Sequence, residues 1–389
     1  MGSYDIAIIG AGLAGSSAAA ALAQRGWRVA LIERRTLPQH RVCGEFLSPE
    51  AQHSLRALGL YATVAALHPA PMRHATLVSA RGTRLHVDLP DAAWGISRYD
   101  LDLALAQGAV QAGATLLQGA TVTDMAIAPT HATITYRMPQ GTHTLHARTA
   151  IIAAGRNPHA VLRPRLPDPQ AGHRPQYVGV KAHYTGVRMP AHVELYLFEG
   201  GYTGVGRVAS SAGEVVNVSL LATRAAFQRA GADPLAMLQA TAAWNPALAE
   251  RLAGGTLLAD TLVAVAQVDT GRPGVAWDQV ARLGDAATMI PPLCGDGMAM
   301  ALRSAELCVP LADGFLRGTL TREQWQAGYT QAWRRSFARA LWVGRRLQSL
   351  LATPYLSDVL LHTGAQLPPL ARLFVHATRS REVAVAGGS

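Results

Sequence analysis

Short, mostly apolar runs and longer alternating stretches divide this chain into two kinds of segment. Residues 6–9 (IAII), 27–32 (WRVALI) and 150–155 (AIIAAG) are runs of the first kind, expected of strands buried on both faces of a parallel sheet. Residues 75–89 alternate apolar and polar positions around Arg81-Gly82, a hairpin pattern, and residues 133–136 and 144–146 form a second such pair. From residue 177 to 268 the pattern is mainly strand with glycine-rich turns. It predicts an antiparallel sheet with one face exposed or lining a pocket.

Helical spacing appears in the alanine-rich stretch that stops at Gly26, in Leu101, Leu105 and Ala109, and in residues 227–251, which Pro234 and Pro246 interrupt. Ser48 before Pro49 reads as an N-cap, and Thr321 with Gln324 as a capping box opening a long helix with Trp325, Trp333, Phe337 and Trp342. Pro354, Pro368 and Pro369 then break the chain into short helices, and residues 382–389 read as a loose tail.

The order of these elements predicts an α/β domain that is interrupted and resumed. Residues 1–74, 98–172 and 276–318 belong to it, because the turn Gly155-Arg156-Asn157-Pro158 and the segment after residue 280 each return the chain to its sheet. Residues 75–97 and 173–275 form the second, antiparallel domain, a candidate substrate roof, and residues 319–389 are C-terminal helices and tail.

The first strand runs into Gly10-Ala-Gly12-Leu-Ala-Gly15 at a helix start, and Glu33 closes the second strand. Such glycines supply a tight turn, close approach to a pyrophosphate and helix-to-strand packing, and the helix N-terminus attracts phosphate. An acidic residue at the place of Glu33 accepts ribose hydroxyls. An ADP-containing dinucleotide is therefore expected; the motif alone does not choose between FAD and NAD. Gly284-Asp285 and Gly295-Asp296-Gly297 form a second glycine-rich helix start, which favours a long cofactor touched at both ends. Arg41-Val-Cys43-Gly44-Glu45 fits either a surface loop or a loop along that cofactor. Arg98, at a helix start, fits either a surface arginine or a phosphate contact.

Composition narrows the classes. The net charge of +10 is carried by arginine, since Lys181 is the only lysine, and it suits acidic partners such as a carrier protein or an anionic membrane face. The basic aromatic helix could rest on a membrane, although packing of its aromatics is the commoner outcome. No basic-aromatic stripe or zinc spacing points to nucleic acid. Fourteen histidines show no paired metal spacing, and no G-x-S-x-G elbow is present. No apolar run reaches the ~20 residues of a membrane span. Three cysteines make no disulfide framework, so the cytoplasm is the expected compartment.

Together GAGLAGSSAA, AAGRNP and GDAATMIPPLCGDGMAMALRSAE resemble the FAD-dependent oxidoreductases of the p-hydroxybenzoate hydroxylase-like architecture. The Cys43-Gly44 loop is similar to that of the geranylgeranyl reductase-like branch. The resemblance implies a Rossmann-like FAD-binding domain with an interleaved antiparallel substrate domain. It implies that Gly10, Gly12 and Gly15, with Ala14, hold the pyrophosphate, and that Glu33, with Arg34 beside it, holds the ribose. Arg41, Arg98, Gly155 and Asp285 would lie along the FAD. Pro292, Gly295, Gly297 and Met298 would meet the flavin ring, with Cys43 and Gly44 over or beside it.

Departures from the family pattern bear on chemistry. The acidic residue of an Asp-Gly pair associated with NADPH handling is missing after Gly155, and the substrate motif of the geranylgeranyl reductases is not plain; FEGGYTGV (198–205) stands roughly where it would fall. Neither W-x-W-x-I-P nor a lysine near it is present, so halogenation is not expected. With one dinucleotide fingerprint, NAD(P)H would bind transiently as electron donor. The expected activity is a flavin monooxygenase acting on a hydrophobic aromatic, polyketide-like or isoprenoid small molecule. The alternative is a reductase or dehydrogenase acting on C=C or C–C bonds, with a substrate held on a carrier. Cys43, Glu45, His183 and Tyr202 are the catalytic candidates, with Cys294 also expected at the pocket.

Overall fold

A computed structural model describes residues 3–366 apart from 157, 166, 167, 169, 171–173 and 352. The expected tail at 382–389 and the breaks at Pro368 and Pro369 lie outside these residues. Two eight-stranded sheets organise the chain.

In the first sheet, Val280–Arg282, Gly141–Ile152, Tyr4–Ile9, Val29–Glu33 and Thr115–Gln118 lie side by side in parallel. The expected apolar strands are thus its centre. Thr121–Ile127 and Ala132–Met138 extend it as an antiparallel meander. Every residue of the helix Leu13–Ala23 is buried. Its alanines and serines are small enough for the helices Arg98–Gln111 and Gly297–Arg317 to pack closely on it.

The second sheet runs Thr256–Val268, Tyr177–Thr185, Gly213–Thr223, Gly201–Ser210, His192–Phe198, Ala70–Val78, Arg84–Gly95 and Phe46–Leu47. It is not purely antiparallel as expected. His192–Phe198 pairs in parallel with Ala70–Val78, because the hairpin arrives from a distant part of the chain and no tight turn dictates its direction. That hairpin starts at Ala70, earlier than its alternation suggested. Helices Arg224–Arg229, Pro234–Trp244 and Pro246–Leu252 accompany one face, where Met237, Leu238 and Leu248 join its core. Pro234 and Pro246 begin helices instead of interrupting one. The other face carries Leu197, Tyr202 and Leu221 towards Met289 and Leu293 of the first domain.

Thr321 and Gln324 form the reciprocal capping box, with bonds of 2.8 and 3.2 Å, ahead of the helix Arg322–Leu351. Ser48 occupies its N-cap, yet its hydroxyl makes no capping bond. Trp325, Trp333 and Phe337 are buried, whereas Trp342 is 63% exposed.

Candidate active site

The three glycines of the first turn have different surroundings. A Cβ on Gly10 would fall 2.4 Å from the Ala153 carbonyl oxygen, with φ at +107°, and one on Gly15 would fall 1.8 Å from the Gly10 oxygen. These two glycines permit the turn and its packing. A Cβ on Gly12 would meet nothing within 4 Å, so the space beside it is left for a ligand at the helix N-terminus. The Glu33 carboxylate accepts from the Ala11 and Arg35 N–H groups at 2.9 and 3.1 Å. That bracing fixes it at the cleft wall with acceptor capacity remaining for hydroxyls.

The cleft that begins here has a volume of about 670 Å³. Gly10, Gly12, Ala14, Glu33, Arg34, Arg41, Cys43, Gly44, Arg98, Gly155, Asp285, Pro292, Gly295, Gly297 and Met298 all line it. Gly15 does not; its place is the contact between helix and turn. Arg41 and Arg98 share the buried Asp102 at 3.0 and 2.7 Å, which holds both guanidinium groups in one place. Burial raises the Asp285 carboxyl despite the nearby charges of Arg156, Arg98 and Arg272.

Beside the cleft lies a second cavity of about 340 Å³ whose walls include Leu77, Leu195, Leu221, Leu347, Leu361 and Tyr202. Cys43, Gly44, Phe46, Arg156, Pro292 and Gly295 line both spaces. This junction joins a dinucleotide-shaped cleft to an apolar chamber of small-molecule size, since such sites span about 300–1,000 Å³. Burial raises the Tyr202 phenol well above its ordinary value, so it remains a proton-bearing donor in the chamber wall. Burial likewise raises the Cys294 thiol, which disfavours a reactive thiolate there.

The Cys43-Gly44 loop is anchored from behind. Glu45 is fully buried with φ at +53°, and its carboxylate accepts from His183 Nε2 at 2.6 Å, the Arg98 backbone N–H at 2.9 Å and Lys181 Nζ at 3.3 Å. Burial works against that carboxylate, but the His183 bond and the Lys181 charge hold it below the usual range. Burial lowers the Lys181 ammonium, offset in part by Glu45. His40 Nδ1 lies 3.3 Å from the same ammonium.

This arrangement corrects two expectations. His183 does not line the chamber: it shares a face of Tyr177–Thr185 with Gly179, which does, but lies four residues further along the strand, where it meets Glu45. The only lysine is not remote from the site, since the fold brings Lys181 under the loop. Its ammonium is fully buried and occupied there. Arg156, Lys181, Asp102 and His40 were not among the site residues read from sequence. A lone charge within the apolar strand YVGVKAHY, and an acid four residues after Arg98, were the available signals.

A glycine-turn α/β cleft opening into an apolar chamber under a second sheet is the plan of a flavin-dependent oxidoreductase. The FAD binding domain family model matches residues 3–325, and the chain belongs to that family of FAD-dependent oxidoreductases. It is 28% identical over 374 residues to a menaquinone reductase of Mycobacterium tuberculosis (strain ATCC 25618 / H37Rv), covering 90% of this chain and 85% of the relative. In fold it is similar to a flavin-dependent brominase (TM-score 0.78, 17% identity, 97% of this chain and 93% of the other). It is also similar to a geranylgeranyl bacteriochlorophyll reductase-like protein of Thermoplasma acidophilum (TM-score 0.74, 17% identity, 96% of each chain).

The residues of the cleft fit FAD. The open side of Gly12 admits a pyrophosphate, Arg41 and Arg98 supply cationic donors, and Gly297 and Met298 bring the N-terminus of Gly297–Arg317, whose first N–H groups have no intrahelical acceptor, to the cleft wall.

Proposed function

We propose that this chain is an FAD-dependent monooxygenase that hydroxylates an electron-rich, phenol- or enol-type carbon of a hydrophobic small molecule. NAD(P)H serves as the transient electron donor. The overall change is C–H + O2 + NAD(P)H + H⁺ → C–OH + H2O + NAD(P)⁺. FAD, when bound, supplies the two-electron chemistry that connects the nicotinamide to oxygen. The chain's share is positioning, exclusion of water and control of charge.

The observation that carries this reading is Arg156, a cation lining both the cleft and the apolar chamber. A guanidinium facing an apolar space favours the anionic form of a substrate oxygen, which enriches the adjacent ring carbon for attack. Tyr202 is placed in the chamber wall to donate a hydrogen bond to the same substrate. Cys43 and Gly44 shape the floor, held by Glu45, Lys181 and His183 from behind.

The test supplies ¹⁸O2 with NAD(P)H and long-chain phenols. Incorporation of one labelled oxygen into product is expected. Arg156→Met should keep FAD but lose roughly 10²–10³-fold in product formation, while oxidation of NAD(P)H continues uncoupled. Hydroxylation by Arg156→Met at the wild-type rate would remove the reading. The near full-length likeness to a menaquinone reductase favours a second one, a flavin reductase, with a C=C bond as the target expected from the sequence. Anaerobic turnover with loss of that bond and no oxygen uptake would establish it in place of the first.

A further inference from the structure

Part of the wall of the apolar chamber is also exposed at the surface. Leu347, Leu350 and Leu351, from the end of Arg322–Leu351, and Leu360 and Leu361, from Pro354–Gln366, are part of its wall. Leu350 is also 42% exposed, so the wall continues outward. On the same two helices stand Trp342 (63% exposed), Tyr355 (65%), Leu356 (40%) and Val359 (46%). Five of the eight large apolar side chains exposed among the described residues therefore fall on these two helices, between positions 342 and 359. Scattered exposed apolar residues need no explanation, but such a concentration beside a cavity wall does.

The charge around this group is mainly positive. Residues 324–366 contain five arginines and a single acid, Asp358. Asp358 is turned to the Ser79 and Thr83 hydroxyls at 2.7 and 2.8 Å. Arg335, Arg339, Trp342, Arg346 and Leu350 follow one another at spacings of four, three, four and four, which places them on one exposed stripe of the helix. The Arg346 guanidinium lies over the Trp342 ring, 5.5 Å from its centroid. A helix face with arginines flanking tryptophan and leucine suits the boundary between anionic headgroups and acyl chains. An acidic protein would match the arginines but leave the apolar rim of an apolar cavity without a counterpart.

We infer that this face docks on an anionic lipid surface and that the substrate enters the chamber directly from it, as a lipid with a long apolar tail. The inference deepens the proposed function and rests on it only in treating the chamber as the substrate site. No helix among the described residues is long and apolar enough to cross a membrane, so the contact is interfacial.

The test is co-sedimentation of the FAD-loaded protein with vesicles of phosphatidylcholine alone or of phosphatidylcholine mixed with phosphatidylglycerol, whose negative surface potential attracts basic segments. Binding to the anionic vesicles is expected, with loss at high salt. Arg335→Gln/Arg339→Gln/Arg346→Gln and, separately, Trp342→Ser/Tyr355→Ser/Val359→Ser should each weaken it by at least about tenfold, at unchanged FAD content. No binding to either vesicle, equal binding to both, or binding unaffected in both variants would overturn the inference. Capture by an acidic carrier protein without vesicle binding would overturn it as well. Hydroxylation of a short soluble phenol without vesicle binding would leave the proposed function standing and remove only the docking. Vesicle binding without oxygen incorporation would do the reverse.

Discussion

Gly12→Val protein is expected to fold and to purify colourless, with flavin content reduced to a few per cent of wild type. The reason is specific to that glycine. Its Cβ would meet no protein atom within 4 Å, so the added side chain occupies only the space where the pyrophosphate meets the N-terminus of Leu13–Ala23. Gly10→Val is a poorer test of the same idea. Its Cβ would fall 2.4 Å from a backbone oxygen at a positive φ, and loss of colour there would follow from loss of fold. Circular dichroism with absorbance at the flavin band separates the two variants. Full flavin retention in Gly12→Val would remove the assigned cofactor position.

The second large effect is expected at Glu45. Replacing it with alanine leaves the Lys181 ammonium buried without its counter-charge, and deprives His183 and the Arg98 N–H of their acceptor. Removing one partner of a buried pair costs about 3–5 kcal/mol, read as a lower urea midpoint at fixed FAD. The pH dependence has a definite sign. Glu45 has a folded value lowered from 4.5. Its contribution is complete above pH 4.5 and is lost as pH falls through that folded value. Lys181 is lowered from 10.5 by burial. The unfolded chain therefore binds more protons between the folded value and 10.5, and this group's effect improves as pH rises through that window. Glu45→Gln should flatten the acid limb, and an unchanged acid limb would show that the cluster is not what fails there.

The cofactor half was legible because its chemistry is local. Gly10, Gly12, Glu33 and the glycines at 295 and 297 sit within single strand–turn–helix units, where spacing and function coincide. The His183–Glu45 and Lys181–His40 contacts span 138 and 141 residues of sequence, and only the packing of the two sheets brings these groups under one loop. The parallel pairing of Ala70–Val78 escaped for a similar reason: alternation fixes which face is buried, not strand direction. Arg156 was visible in the turn after Gly155, yet its place between two cavities depends on where the roof sheet lies.

If the apolar chamber opens on the flavin, a ligand bound there perturbs the flavin spectrum. Titration of the oxidised, FAD-loaded protein with a long-chain alkylphenol, followed by flavin difference absorbance, measures this. Gly204 lines the chamber, and the nearest neighbours of a Cβ there are Leu195 and Ser219 at 3.4–3.6 Å, an ordinary contact distance. Gly204→Leu should keep its FAD while losing the saturable spectral change that wild type shows. An undiminished spectral change in that variant, or none in wild type, would contradict this placement of the chamber.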